Sequence, residues 1–205
     1  ALTLLLDEGT SIIWAWAWVA AMVPVAGEAA RRREPRLRGL GLTTTLGASL
    51  GLAVSLATVF ALGILPLEAR VLVPVSGMVV GNSLKVVVVA STRLVDGIRD
   101  RAGEVEAMLA LGFTPERAVR DVTSEALRLA LRPQIEITRT AGMVFLPGAL
   151  TGLILAGVDP LQAALIQVAI LFLILGTAAV TALVVVLLGV RTFITDDQRL
   201  VLPVG

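Results

Sequence analysis

VFLPGALTGLILAGVDP, running from Val144 to Pro160, is the stretch on which the fold turns. It is almost wholly apolar until Asp159, as a lipid-embedded helix would be. Yet it holds Pro147, Gly148, Gly152 and Gly157, residues that weaken a helix interior. An inert anchor has no use for them. Irregular backbone at membrane depth is tolerated only where protein or a cavity satisfies it.

The rest of the chain agrees with a membrane setting. Of its 205 residues, 57% are hydrophobic and 16% charged, and the mean hydropathy is +0.91. A soluble domain carries about a quarter charged residues. The composition therefore predicts an all-α, polytopic helical bundle. Five spans fit, near Thr10–Gly27, Leu40–Leu65, Val71–Thr92, Gln134–Ala156 and Leu161–Val190. The opening ALTLLL reads as the end of an apolar run and predicts further helices upstream.

Loop charges orient the spans. Glu28–Arg38 holds five Arg against two Glu, and the stretch 93–132 holds seven Arg. Both are cytoplasmic by the positive-inside rule, which leaves Arg70 as the one basic residue outside. The 93–132 stretch predicts an amphipathic helix pair. The first helix ends at Gly112. The second begins with Thr114 as N-cap and Pro115 in first position, and runs to about Leu131, where Pro133 starts the next span. Opposite charges fall four apart at Glu116–Arg120 and Arg117–Asp121, and Val119, Val122, Ala126 and Leu129 form an apolar stripe.

His and Cys are absent. This excludes thiolate catalysis, a Ser-His triad and the usual zinc sites. The four Met residues (Met22, Met78, Met108, Met143) read as packing, so the residues themselves supply no metal site. A net charge of +1 makes no case for nucleic acid. An enzyme within the membrane is disfavoured, since no carboxylate pair lies at depth.

Three Gly-x-x-x-Gly pairs stand in the spans: Gly47/Gly51, Gly77/Gly81 and Gly148/Gly152. Such pairs let another backbone approach closely, and ordinary helix packing accounts for any one of them. Two also neighbour a proline, in PVSGMVVGN (Pro74, Gly77, Met78, Gly81, Asn82) and PGALTGLILAG (Pro147, Gly148, Thr151, Gly152). That combination predicts two broken, path-lining elements. Lys85 lies near the inner end of its span, where snorkelling and a pathway role are both open.

The segments PVSGMVVGNSL, EAMLALGFTPERA and LRLALRPQIEITRTAGMVFLPGALTGLILAGVDPLQAALIQ occur in an order and spacing that resembles the FetB-type permeases, membrane subunits of an iron-export ABC transporter with plant relatives linked to aluminium tolerance. The resemblance runs from about Asp7 to Arg199. It implies a single permease domain, multi-pass in a bacterial inner membrane, working as a homodimer with separate ATPase subunits that hold ATP-Mg; this chain would need no cofactor. The 93–132 stretch would dock the ATPase through Glu106, Ala107, Leu111 and Gly112, which match an E-A-A-x-x-x-G pattern. The two Pro/Gly segments would line or gate the path. Where the family often has Met after Leu-Pro-Gly, this chain has Ala149 and Leu150. The competing readings are a stand-alone channel or ion-coupled carrier, or a non-transporting scaffold.

Overall fold

The computed structural model describes residues 12–33, 41–61, 69–141, 148–195, 197 and 199–202. These form α1 (Ile12–Arg33), α2 (Gly41–Ala61), α3 (Ala69–Asp100), α4 (Ala102–Ala110), α5 (Pro115–Ala118), α6 (Arg120–Thr140), α7 (Gly148–Leu155) and α8 (Pro160–Phe193). Beyond the helices, the described residues add one antiparallel bridge, Ile194 to Leu200.

At 1.5 Å per residue α3 and α8 are about 48 and 51 Å long, more than the roughly 30 Å of a bilayer core. Within the described residues, Leu72–Asp100 and Pro160–Phe193 are long and apolar enough to cross a membrane; shorter apolar stretches, Ile13–Met22 and Thr45–Thr58, lie in α1 and α2. α8 agrees with the fifth expected span. The third span differs: its helix does not stop at Thr92 but runs on to Asp100 through Arg93 and Arg99. Nor does Pro74, near its start, break it, so PVSGMVVGN is not a broken element. The lost amide donor falls close to the helix end, where fewer bonds depend on it.

Pro133 likewise lies inside a helix and does not end one. Ala130 and Gln134, on either side of it, are both buried. Packing of this face against α3 and α8 outweighs a proline penalty of about 3 kcal/mol. The fourth expected span is therefore divided between the end of α6 and the eight-residue α7, with 142–147 outside the described residues.

Two buried clusters sit at opposite ends of the long helices. One joins Ala15 and Val19 of α1, Leu52 and Leu56 of α2, Leu72, Val73 and Val79 of α3, and Leu173 of α8. The other joins the second halves of α3 and α8 to Val105 and Leu109 of α4, Ala118 of α5, and Val122, Ala126 and Ala130 of α6. The segment with the charged helices is thus packed onto the continuations of the long helices and does not hang from a loop.

The tightest helix approach is α2 on α8. A Cβ at Gly47 would lie 2.5 Å from Val185 Cγ2, and one at Gly51 would overlap Thr181 Oγ1. Both would also stand 3.3 Å from a backbone carbonyl, that of Thr181 and Thr177 respectively. A second close approach joins α3 to α6, where a Cβ at Gly97 would be 2.8 Å from Val122 Cγ1.

Candidate functional site

The charged end of the molecule carries the clearest built surface. α4 turns Val105 and Leu109, four residues apart, into the core. That leaves Glu106, Ala107 and Ala110 exposed. The helix ends in a Schellman arrangement. The Gly112 amide donates to the Leu109 carbonyl at 3.0 Å, and the Phe113 amide to the Met108 carbonyl at 3.1 Å. Gly112 takes φ +82°, a left-handed conformation that costs a residue with a Cβ about 1–2 kcal/mol. The turn pushes Leu111 outward, where it is 77% exposed. An apolar side chain in that position on a capped turn is a natural knob for a partner surface.

All four residues expected to couple to a partner therefore share one exposed face and its terminal turn. The turn is pinned from the other side: the Arg117 guanidinium lies over the Phe113 ring, 4.9 Å from its centroid. Thr114 takes the extended backbone of an N-cap and Pro115 the first helical position, but the Thr114 side chain makes no capping bond. Glu116–Arg120 and Arg117–Asp121 do not pair among the described residues. Arg101 instead bridges to Glu125 at 2.9 Å, and Arg139 reaches Glu136 at 4.0 Å. An open groove of about 480 Å³ lies between α4 and the C-terminal turn, lined by Glu106, Leu109, Ala110, Asp197, Arg199 and Leu200. That turn is closed by the Val201 amide on the Phe193 carbonyl, 2.8 Å, and the Thr195 amide on the Arg199 carbonyl, 3.0 Å.

The residues expected along a path are placed less uniformly. On α3, Pro74, Met78 and Gly81 are exposed and Gly77 and Asn82 half-buried. A Cβ at Gly77 would come 3.8 Å from Met22 Cε of α1, whereas one at Gly81 would meet nothing within 4 Å. Asn82 turns its amide back on its own helix, Nδ2 donating to the Met78 carbonyl at 2.9 Å. Gly148, Thr151 and Gly152 of α7 are exposed, and a Cβ at either glycine would meet nothing within 4 Å. Pro147 lies outside the described residues. α7 packs on α8, so its glycines are not drawn into a tight pair with those of α3.

The end of the opening stretch has a plain structural account. Gly157 takes φ +86°, the Val158 amide closes on the Leu153 carbonyl at 3.1 Å, and Asp159 caps α8 by accepting from the Leu161 and Gln162 amides at 3.0 and 3.1 Å. Pro160 occupies the first helical position. L-A-G-V-D-P is thus a helix stop joined directly to a helix start.

Ser83 and Gln167 stand out in the sequence as polar residues at depth, whereas Ser91, Thr92 and Thr181 do not. Ser83, Ser91 and Thr92 of α3, and Gln167 and Thr181 of α8, hold side-chain oxygens without a hydrogen-bond partner among the described residues. Such atoms cost about 1–3 kcal/mol each when nothing meets them. The legible signal was the Thr177/Thr181 spacing, small residues four apart facing the Gly47/Gly51 pair. Among the described residues no group of three or more carboxylates could hold a metal ion.

The described residues are helical, and two of their helices are apolar and long enough to cross a bilayer, as in a helical membrane protein. The chain belongs to the family described as Uncharacterised protein family UPF0014, whose model matches residues 1–194. It is 31% identical to the UPF0014 membrane protein YjkA of Bacillus subtilis, over 96% of this chain and 78% of that one. It is 32% identical to Protein ALUMINUM SENSITIVE 3 of Arabidopsis thaliana, over 87% and 66%. With the probable iron export permease protein FetB of Escherichia coli it shares 27% identity over 84% and 66%. The chain thus spans between about two thirds and four fifths of the length of these relatives. No solved structure is a significant match.

Proposed function

We propose that this chain is the permease subunit of an ATP-driven transporter. Its ATPase would be a separate subunit, and its cargo a metal ion such as iron. The observation that carries the reading is the exposed α4 face with Glu106, Ala107, Leu111 and Gly112, whose inner side sets Val105 and Leu109 in the buried cluster shared with α3, α6 and α8. A push on Leu111 would pass through that core into two helices of bilayer length. The relationship to FetB, a probable iron export permease, supports the same direction and suggests the cargo class. The working unit in this reading is a multi-pass homodimer in the bacterial inner membrane. It has five spans in this chain and ATP-Mg on the partner.

The path would run along the α3 face bearing Pro74, Gly77, Met78, Gly81 and Asn82 and beside α7 with Gly148, Thr151 and Gly152, the residues that follow Pro147 in sequence. Ser83 and Gln167, buried with open hydrogen-bonding capacity, suit a polar route between α3 and α8. Iron is cargo here, so a weak and transient set of oxygen ligands serves transport better than a closed site.

Reconstitution with the co-encoded ATPase in liposomes tests this. Hydrolysis should rise when the permease is present, and rise again with ferrous iron. Glu106→Lys or Leu111→Asp should abolish the stimulation while the permease keeps its thermal stability. Cation flux that needs no ATP would overturn the proposal and favour a stand-alone channel or carrier.

A further inference from the structure

α6 carries two parallel rows on its outer side. Ser124, Arg128 and Arg132 recur every four residues, and beside them so do Leu127, Leu131 and Ile135. Together they line an open groove of about 440 Å³. Leu127 and Leu131 pack against the buried cluster that also holds Val86, Val87 and Ala90 of α3. The groove therefore lies beside the inner end of a bilayer-length helix.

The charges in this groove are uncompensated. Arg128 and Arg132 are exposed and make no ion pair or hydrogen bond among the described residues, whereas the carboxylates of α6 are engaged elsewhere. Glu125 is held by Arg101 at 2.9 Å, and Glu136 lies 4.0 Å from Arg139 in an exposed, looser pair. Asp121 lines a separate crevice with Arg101 and Arg117. Guanidinium groups present forked donors that match phosphate oxygens. A basic row beside an apolar row fits a ligand that is anionic at one end and hydrocarbon at the other.

We propose that this groove binds an anionic phospholipid of the inner leaflet. The phosphate meets Arg128 and Arg132, and an acyl chain lies along Leu127, Leu131 and Ile135. α6 packs on both α3 and α8, so a headgroup here ties the charged segment to the membrane surface at a set depth. The inference rests on the membrane orientation adopted above and is independent of the ATPase.

The test uses the full chain in neutral detergent, offered phosphatidylglycerol, phosphatidylcholine or inorganic phosphate, with bound lipid read by native mass spectrometry. Phosphatidylglycerol should bind in preference to phosphatidylcholine. Each arginine near an anionic surface contributes about fivefold, so Arg128→Gln/Arg132→Gln should weaken phosphatidylglycerol binding about 25-fold. Arg128→Lys/Arg132→Lys should keep most of it, and Arg120→Gln, off the groove, should keep all of it. Should the double variant not fold, Arg128→Gln alone must still show the fivefold loss. Wild-type selectivity in the glutamine variants would overturn the proposal. So would inorganic phosphate displacing the lipid outright, which would mark a free-anion site, or loss of ATPase binding with lipid selectivity intact, which would mark a protein contact. A missing ATPase response alongside retained lipid selectivity would count against the permease reading alone.

Discussion

Gly47/Gly51 and Gly148/Gly152 have the same spacing and opposite surroundings. The first pair lies where α2 meets α8 so closely that a single added carbon would collide with Val185 or Thr181. The second lies on a short helix with open space around both glycines. Spacing alone therefore marks a face where close approach is possible. Whether a neighbour uses that face depends on what the rest of the chain brings to it.

This contrast orders the expected mutational effects. Gly51→Leu should be the most damaging. Thr181 and the Thr177 backbone leave it no room, and overpacking of this kind costs about 1–3 kcal/mol or more. A large drop in melting temperature in detergent would register it, and an unchanged melting temperature would remove the α2–α8 contact from the account. Gly97→Leu should follow, through its clash with Val122, and should also loosen the charged end, visible as faster amide exchange in α6. Gly112→Val should cost about 1–2 kcal/mol through its left-handed backbone and should reduce ATPase stimulation more than it reduces stability. Asp159→Ala should cost about 1 kcal/mol by removing the α8 cap. Gly148→Ala and Gly152→Ala should leave thermal stability unchanged or raise it by up to about 1 kcal/mol, since Ala favours helix over Gly. If these last two prove as disruptive as Gly51→Leu, then α7 is packed in the membrane against a second copy or another helix, and the contrast is one between contacts within a chain and contacts between chains.

Much of the exposed turn that ends α4 was legible in advance. Gly112 after an apolar helical run, followed by Thr-Pro-Glu, is local chemistry, and its positive φ and the proline start follow from it. The same holds for Gly157, Asp159 and Pro160. The failures include two prolines, two ion pairs and the inner end of the third span. Pro74 and Pro133 were read as breaks, yet both lie inside helices, Pro74 because it falls near a helix start and Pro133 because burial of the flanking face outweighs one lost bond. The charge pairs expected along α5 and α6 are not formed among the described residues, and Arg101, just past the end of α3, bridges to Glu125 of α6.

From residues alone one could infer a helical membrane protein, the apolar character of its long helices, and the turn that ends α4. All of these rest on composition or on near-neighbour backbone rules, which act within a few residues. The continuation of α3 past Thr92, the shared core beneath α4, the choice of Gly47/Gly51 over Gly148/Gly152 as the packed pair, and the lack of a partner for Arg128 and Arg132 among the described residues could not be read that way. Each depends on which surfaces meet across the bundle, and close packing is decided between residues far apart in the chain.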